Sequence, residues 1–464
     1  MRRSLLATAA TALAALAVAP AMASAATHTA SYNVPVDMGP YEVRQTLSLV
    51  PKPNVDGFIT GMTANVVDAG GKPVPIRRLM LHHIVFLRIG KHNPMCSTFT
   101  GYDSRPYPAA YSNAEPIFGN GEERNQLALP KGYGYQVAKD NLPFAMVWML
   151  MNHRGVADHA FIHYTVTWDD ATDLKPVQPY WLDVRNCNAD PVYDVPGGGK
   201  KGSTYTQTYN YRMPESGRIV AAGGHVHGGA KDLTISEPDC SNRTVFRSKP
   251  AWGMPDHPFY NVRPILHEPG PISMSGMLSK TGYPIAKGQR VRLTSNYDGS
   301  RPHTRVMGIS MIYVAHDPTV TGCAKPPSDV IEVQPAALRG EQFRTSPPVF
   351  TVPLTGLDSN GKAVTIDHPP GKRIEVKSGK TINVGDHFFG PPNVSLPTGS
   401  LLNWKFGPST LHNVTLANGP RGFSSPNLSD GRQFKFRFRK AGTYRIFCAL
   451  HPVQMAETVV VHKP

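Results

Sequence analysis

An all-β, multi-domain chain is predicted by three observations. Turn formers are abundant, long amphipathic helical patterns are hard to find, and apolar runs recur as short alternating or β-branched segments. The 464 residues hold 44 Pro and 42 Gly against 17% charged residues, a composition suited to turn-rich β modules. At roughly 100 to 200 residues per domain, the length allows two to four domains, each able to bury its own core.

Residues 1–25 place Met1-Arg2-Arg3 ahead of an apolar run and end in Ala23-Ser24-Ala25. That is the order of a secretory signal peptide. The expected mature protein is extracytoplasmic, either secreted or in the cell envelope. No later stretch approaches the ~20 apolar residues that a membrane helix needs, so stable membrane insertion is not expected. The formal net charge is +15, but the basic residues are scattered. This reads as a solvated surface and not as a nucleic-acid track.

From 26 to 170, residues 46–50, 58–67, 80–89, 145–151 and 160–168 read as strands. Among them, Leu79-Met80-Leu81-His82-His83-Ile84-Val85 buries two adjacent histidines. Adjacent side chains point to opposite faces unless a bulge turns both to one side, and burying two polar rings is costly without partners, for which a metal is suited. His163 lies within a further strand and, taken singly, reads as a hydrogen-bonded core histidine. A composition shift begins near 170 and runs into Pro196-Gly197-Gly198-Gly199, marking a domain junction. The second module, 171–323, contains Gly223-Gly224-His225-Val226-His227-Gly228-Gly229. Residues two apart on a strand share a face, so His225 and His227 can form half of a metal site, with glycines allowing close approach. Further on, 290–297 and 305–314 read as strands, the latter containing Met307, whose thioether would favour copper over zinc beside two imidazoles.

In order and type these segments resemble the catalytic core of the copper type II, ascorbate-dependent monooxygenases, the family of peptidylglycine α-hydroxylating and dopamine β-monooxygenase, over roughly residues 30–320. The resemblance implies two jelly-roll-like β-sandwich domains across a solvent-exposed cleft. It implies two core coppers: an electron-transfer copper on His82, His83 and His163, and a dioxygen-binding copper on His225, His227 and Met307. The reaction it implies is hydroxylation of a C–H bond of a small molecule by dioxygen, with ascorbate or another external reductant. Where peptide-hydroxylating members carry a carboxylate-anchoring arginine and tyrosine, this chain has Gly223 and Met311, so the expected substrate is apolar or aromatic and not a carboxylate-anchored peptide. Cys187 and Cys323 resemble the family's disulfide closing the second domain, which would leave Cys96 to pair with Cys240. From the residues alone, three pairings of these four cysteines are open.

Residues 324–349 are Pro-rich and read as a semi-rigid linker or edge segment. The third module, 350–464, has expected strands at 382–386, 401–406, 412–416, 433–439, 442–448 and 457–461. Near its end Cys448-Ala449-Leu450-His451-Pro452-Val453-Gln454-Met455 follows an upstream His412. One thiolate and two imidazoles with a weak axial thioether form the ligand set of a blue-copper site. This resembles the cupredoxin family, a Greek-key β-sandwich, with His412, Cys448 and His451 as strong type 1 copper ligands and Met455 axial. Tethered through the linker, such a module would donate electrons to the core, fed by a reductant or a redox partner protein. His225-Val226-His227-Gly228 also looks like the H-x-H-G of multicopper oxidases, but the H-C-H triplet of that family is absent, since Phe447 and Ala449 flank Cys448. The remaining alternative is a non-catalytic secreted protein that binds copper or transfers electrons.

Overall fold

The strand Asp158–Asp169 shows how alternation becomes structure. Ala160, Ile162, Tyr164 and Val166 are fully buried, while Phe161, His163 and Thr165 between them lie half-exposed on the other face. The same logic recurs along the chain. The computed structural model describes residues 26–96, 114–188, 190–334 and 340–464, so the expected signal peptide at 1–25 lies outside the described residues. Among the described residues the protein is strands and loops, apart from one 3-10 turn at Pro258–Asn261. No helix there is long and apolar enough to cross a membrane.

The first two modules share a sheet. Its hydrogen-bonding order is Thr27–Met38, Asp158–Asp169, Gly57–Val67, Tyr133–Val137, Lys175–Asp183, Gly308–His316, Gly217–Val226, Gly276–Ile285 and Ile331–Val333. The step between modules is a short parallel pairing of Lys175 with Tyr133 and Pro176 with Gly134. Val43–Val50, Phe144–Asn152, Leu79–Ile89 and Ala114–Gly121 form a second sheet, and Thr204–Arg212, Arg290–Asp298, Ala230–Glu237 and Arg243–Ser248 a third. One continuous hydrophobic core joins residues of all three.

Two disulfides, Cys96–Cys187 and Cys240–Cys323, leave Cys448 free and buried. Bonds of this kind belong to an oxidising, extracytoplasmic setting. The Cys187–Cys323 pairing implied by the family resemblance, and the Cys96–Cys240 pairing expected beside it, are therefore incorrect. Lys175–Asp183 runs antiparallel to Gly308–His316, with Asp183 opposite Ile309 and Val177 opposite Ala315. Cys187 and Cys323 thus leave opposite ends of this ladder, about 20 Å apart at ~3.3 Å per residue. Cys96 instead reaches across from the first module, its Cα 5.4 Å from that of Cys187.

The C-terminal module is a separate two-sheet sandwich. Ile374–Glu375, Asn393–Pro397, Ala456–His462, Gly442–Phe447 and Thr415–Asn418 form one sheet, and Phe388–Gly390, Lys380–Gly385, Leu401–Phe406 and Gln433–Arg437 the other. Trp404, Phe406, Phe438 and Tyr444 fill its core. Glu457 is fully buried there, accepting a 2.8 Å hydrogen bond from Trp404 Nε1, with its second oxygen unpartnered. Burial raises its carboxyl from the ordinary 4.5 to about 8. A raised acid pKa favours the folded state below the unfolded pKa, and that contribution is lost as pH rises through the folded value. Unfolding free energy of the metal-free chain should therefore fall by on the order of a few kcal/mol between about pH 4.5 and 8. Glu457→Gln, which keeps the Trp404 contact, should flatten that slope, and identical pH profiles for both proteins would refute the assignment.

The module is docked, not hung on a free tether. The Ser424 amide and hydroxyl donate to Asp194, Thr304 Oγ1 donates to Leu416 O at 2.9 Å, and Gly422 N donates to Pro196 O at 3.0 Å. The Pro-rich segment is itself pinned, with Arg301 donating to the carbonyls of Pro348 and Phe350.

Candidate metal centres

At one end of the C-terminal sandwich, Cys448 follows the strand Gly442–Phe447, and His451 and Met455 sit in the loop before Ala456–His462. His412 arrives from another connection, held by paired backbone hydrogen bonds to Leu428. Cys448 Sγ lies 3.6 Å from His451 Nδ1 and 3.9 Å from His412 Nδ1, and the two imidazole nitrogens are 3.1 Å apart. Atoms this close can share one ion at bonds of ~2.0 to 2.3 Å. Burial pulls His412 down and takes His451 to about 4, keeping both imidazoles neutral, as metal ligands must be. The Asn413 amide donates to Cys448 Sγ at 3.4 Å, and Met455 is fully buried beside them. All four expected residues come together.

The second centre lies between the first two modules. The ladder between Leu79–Ile89 and Phe144–Asn152 is irregular between Leu81 and His83. That bulge lets adjacent histidines gather, with ring centroids of His82 and His83 5.3 Å apart. His227 lies 5.0 Å from His82, and His225 lies 5.1 Å from His227. The glycines after His227 serve the approach. A Cβ on Gly228 would strike Glu268, and Gly229, at φ +81°, lies directly under the His303 ring.

Each ring of the cluster except that of His83 is oriented by a partner. Glu122 Oε1 meets His82 Nδ1 and His267 Nε2, each at 2.5 Å. Glu123 Oε1 holds His225 Nδ1 at 3.0 Å, the Arg305 carbonyl accepts from His227 Nδ1 at 2.9 Å, and Glu268 holds His303 Nδ1 at 2.6 Å. What remains are buried nitrogens with no partner: Nδ1 of His83 and His267, and Nε2 of His225, His227 and His303. Unpartnered buried nitrogens cost free energy, and ligand histidines fixed through the opposite nitrogen are the arrangement of metal sites. The residues fit a copper ion on these grounds.

Electrostatics favour the neutral ring at three of the four histidines. Burial lowers His82, and burial plus the neighbouring histidines hold His83 and His227 well below the usual range. For His225 burial is outweighed by the Glu123 carboxylate, which raises it. Glu122 stays well below the ordinary range because His267 and His82 overcome its burial.

Four of the six core residues expected as ligands thus meet in one cluster. Met307 borders it, 5% exposed, and its carbonyl accepts from the same Tyr297 hydroxyl that accepts the His227 amide. His163 does not join. It is on the outward face of its strand, its Nδ1 bonded to Asn33 Oδ1 at 2.8 Å, so a set of His82, His83 and His163 on one ion is not formed. The nearer partners are Glu122 and His267, whose ligand atoms lie within 4.8 Å of each other and of His82. Sequence reasoning missed Glu122, Glu123, His267 and Glu268. The dipeptides Glu122-Glu123 and His267-Glu268 were the available signals.

Two cavities flank the cluster. One, about 280 Å³, has His82, His83, His227 and His267 on one wall and Phe447, Ala449 and Leu450 of the blue-copper loop on the other. Val453 of that loop packs into the core of the first two modules. The second cavity, about 380 Å³, is lined by His83, His225 and Met307 and by apolar side chains including Met274, Met277, Met311 and Tyr313. Gly223 and Met311, facing residues across the ladder, both line it.

A buried thiol with two imidazoles and a buried thioether on a two-sheet sandwich defines the C-terminal module as a cupredoxin-related, copper-binding electron-transfer domain. The chain is similar to known proteins over two separate stretches. Over 103 residues, 22% of this chain and 82% of the relative, it is 28% identical to Amicyanin-alpha of Methylorubrum extorquens. Among solved structures, a purple cupredoxin from Nitrosopumilus maritimus is 26% identical, covering 18% of this chain and 98% of its own, at a TM-score of 0.17. An oxidised amicyanin mutant is 22% identical, covering 18% and 80%, also at 0.17. Residues 149–317 match the family described as Stress up-regulated Nod 19.

Proposed function

We propose that this chain is an extracytoplasmic copper-dependent monooxygenase whose cupredoxin-related domain supplies electrons to the core histidine cluster. The observation that carries this reading is the cavity bounded on one side by the cluster and on the other by the blue-copper loop. An electron-transfer centre placed against a second centre with unpartnered buried imidazole nitrogens has an acceptor to serve. Two core coppers would sit one at His225 and His227 beside Met307, the other at His82, His83 and His267, of which Glu122 orients His82 and His267. Bound copper would supply the one-electron chemistry that activates dioxygen.

The chain's own residues do the rest. Glu122, Glu123 and the Arg305 carbonyl fix the imidazoles. The methionine-rich, largely apolar cavity beside His225 and Met307 would bind substrate. Gly223 and Met311 offer neither charge nor hydroxyl there, so a small apolar or aromatic molecule suits it better than a carboxylate. In the overall reaction one oxygen atom enters a C–H bond and the other leaves as water, consuming two electrons and two protons. The electrons come from ascorbate, another small reductant or a redox partner protein.

Copper-loaded protein given reductant and a panel of apolar substrates should take up dioxygen and release hydroxylated product in equal amounts. Met307→Ala should lose that activity by orders of magnitude through loss of the thioether, and because Met307 is also a core residue, Met307→Leu, which keeps the packing volume, should lose it equally. Full activity in folded Met307→Ala would remove this methionine from the oxygen site. Copper binding and blue-site redox cycling without substrate-dependent uptake would leave an electron-transfer protein instead.

A further inference from the structure

We infer that Arg305 is the electron bridge between the blue-copper site and the core cluster, an inference resting on the monooxygenase reading above. Arg305 is the residue through which the two sites are joined by continuous short contacts. Its backbone carbonyl accepts from His227 Nδ1 at 2.9 Å, and His227 Nε2 is the free, buried nitrogen of the cluster. Its guanidinium donates to Ser425 O at 3.1 Å in the C-terminal module and pairs with Asp190 at 2.7 Å. On the far side, Ser425 Oγ accepts from Val414 N at 2.9 Å, and the preceding Asn413 amide donates to Cys448 Sγ at 3.4 Å. The route therefore runs from Cys448 through Asn413, Val414, Ser425 and Arg305 to His227 along covalent bonds and hydrogen bonds alone.

Two further facts set Arg305 apart from an ordinary docking contact. Its φ is +51°, a left-handed backbone rare for a branched-chain-free but bulky residue, and the Asp194 carboxylate holds it there through the Arg305 amide at 3.0 Å. Strained backbone of this kind persists where surrounding contacts enforce it and clusters at functional sites. In addition, residues of both centres line the same 280 Å³ cavity, and electron tunnelling decays faster across a gap than along bonded contacts. The step is a one-electron exchange. Reduced type 1 copper is oxidised, core Cu(II) is reduced to Cu(I), and no proton or bond is exchanged.

The test uses the full chain loaded with copper. Paramagnetic resonance first counts type 1 and core Cu(II) in each variant, and the potentials of both sites are measured so that driving force can be corrected for. Flash reduction of the blue site is then followed by the return of its visible band as the electron moves to the core. Arg305→Met, which keeps the stem and loses the Ser425 and Asp190 contacts, should slow that step roughly tenfold or more with both signals intact. Arg305→Lys should recover part of the rate. Asn418→Ala, which removes a hydrogen bond to Val352 O away from the route, should leave the rate close to wild type. An unchanged rate in Arg305→Met, or equal slowing in Asn418→Ala, overturns the bridge. Absence of a core copper signal in the wild type would instead overturn the core-copper reading beneath it.

Discussion

His225→Ala should strip copper from the core while leaving the blue site coloured. His225 presents a buried, unpartnered Nε2 and is held through Nδ1 by Glu123 at 3.0 Å. Its loss removes a ligand outright, so core affinity should fall more than about a hundredfold, beyond the ~10- to 100-fold typical of orienting partners. Glu123→Gln should fall within that smaller range, because the ring remains but its tautomer and direction are no longer fixed. Competition with a copper chelator, read alongside the blue absorption as an internal reference, separates the two. A folded His225→Ala protein that retains full core copper would show that His225 is not a ligand of that copper.

Cys448→Ala should abolish the blue charge-transfer band and, with it, sustained turnover. The thiol is fully buried, with burial pushing it up, and becomes a thiolate ligand only against the metal, with the Asn413 amide donating to it. Without it the domain cannot cycle one electron, so multiple-turnover rates with a partner protein should drop by orders of magnitude. A single turnover of enzyme already reduced by dithionite should persist, since the core coppers need no delivery in that cycle. Unchanged multiple turnover with every reductant would make the domain a copper store. The docked position sharpens the expectation: Phe447, Ala449 and Leu450 already border the cavity that the core histidines line, so no diffusive search by the module is required.

Local chemistry determined what was legible from the chain alone. Strand alternation such as Ile162, Tyr164 and Val166 marks a buried face within a few residues, which is why the all-β class could be read directly. The blue-copper site was legible because one loop delivers Cys448, His451 and Met455, leaving His412 alone to come from elsewhere. The pairs His82-His83 and His225-x-His227 were legible for the same reason. Relations between distant strands were not. A single histidine carries no sign of which sheet face it takes, and the outward phase of Asp158–Asp169 sends His163 to Asn33 and away from the cluster. The carboxylates orienting the rings come from turns, where Glu122 and Glu268 have no periodicity to betray them. Disulfide pairing depends on which ends of antiparallel ladders coincide, and the register of Lys175–Asp183 on Gly308–His316 put Cys187 with Cys96. Only the tertiary structure could decide that the C-terminal domain is docked, because the contacts of Asp194, Thr304 and Arg305 with it join residues more than a hundred positions apart. Close packing, not any local motif, brings those groups within bonding distance.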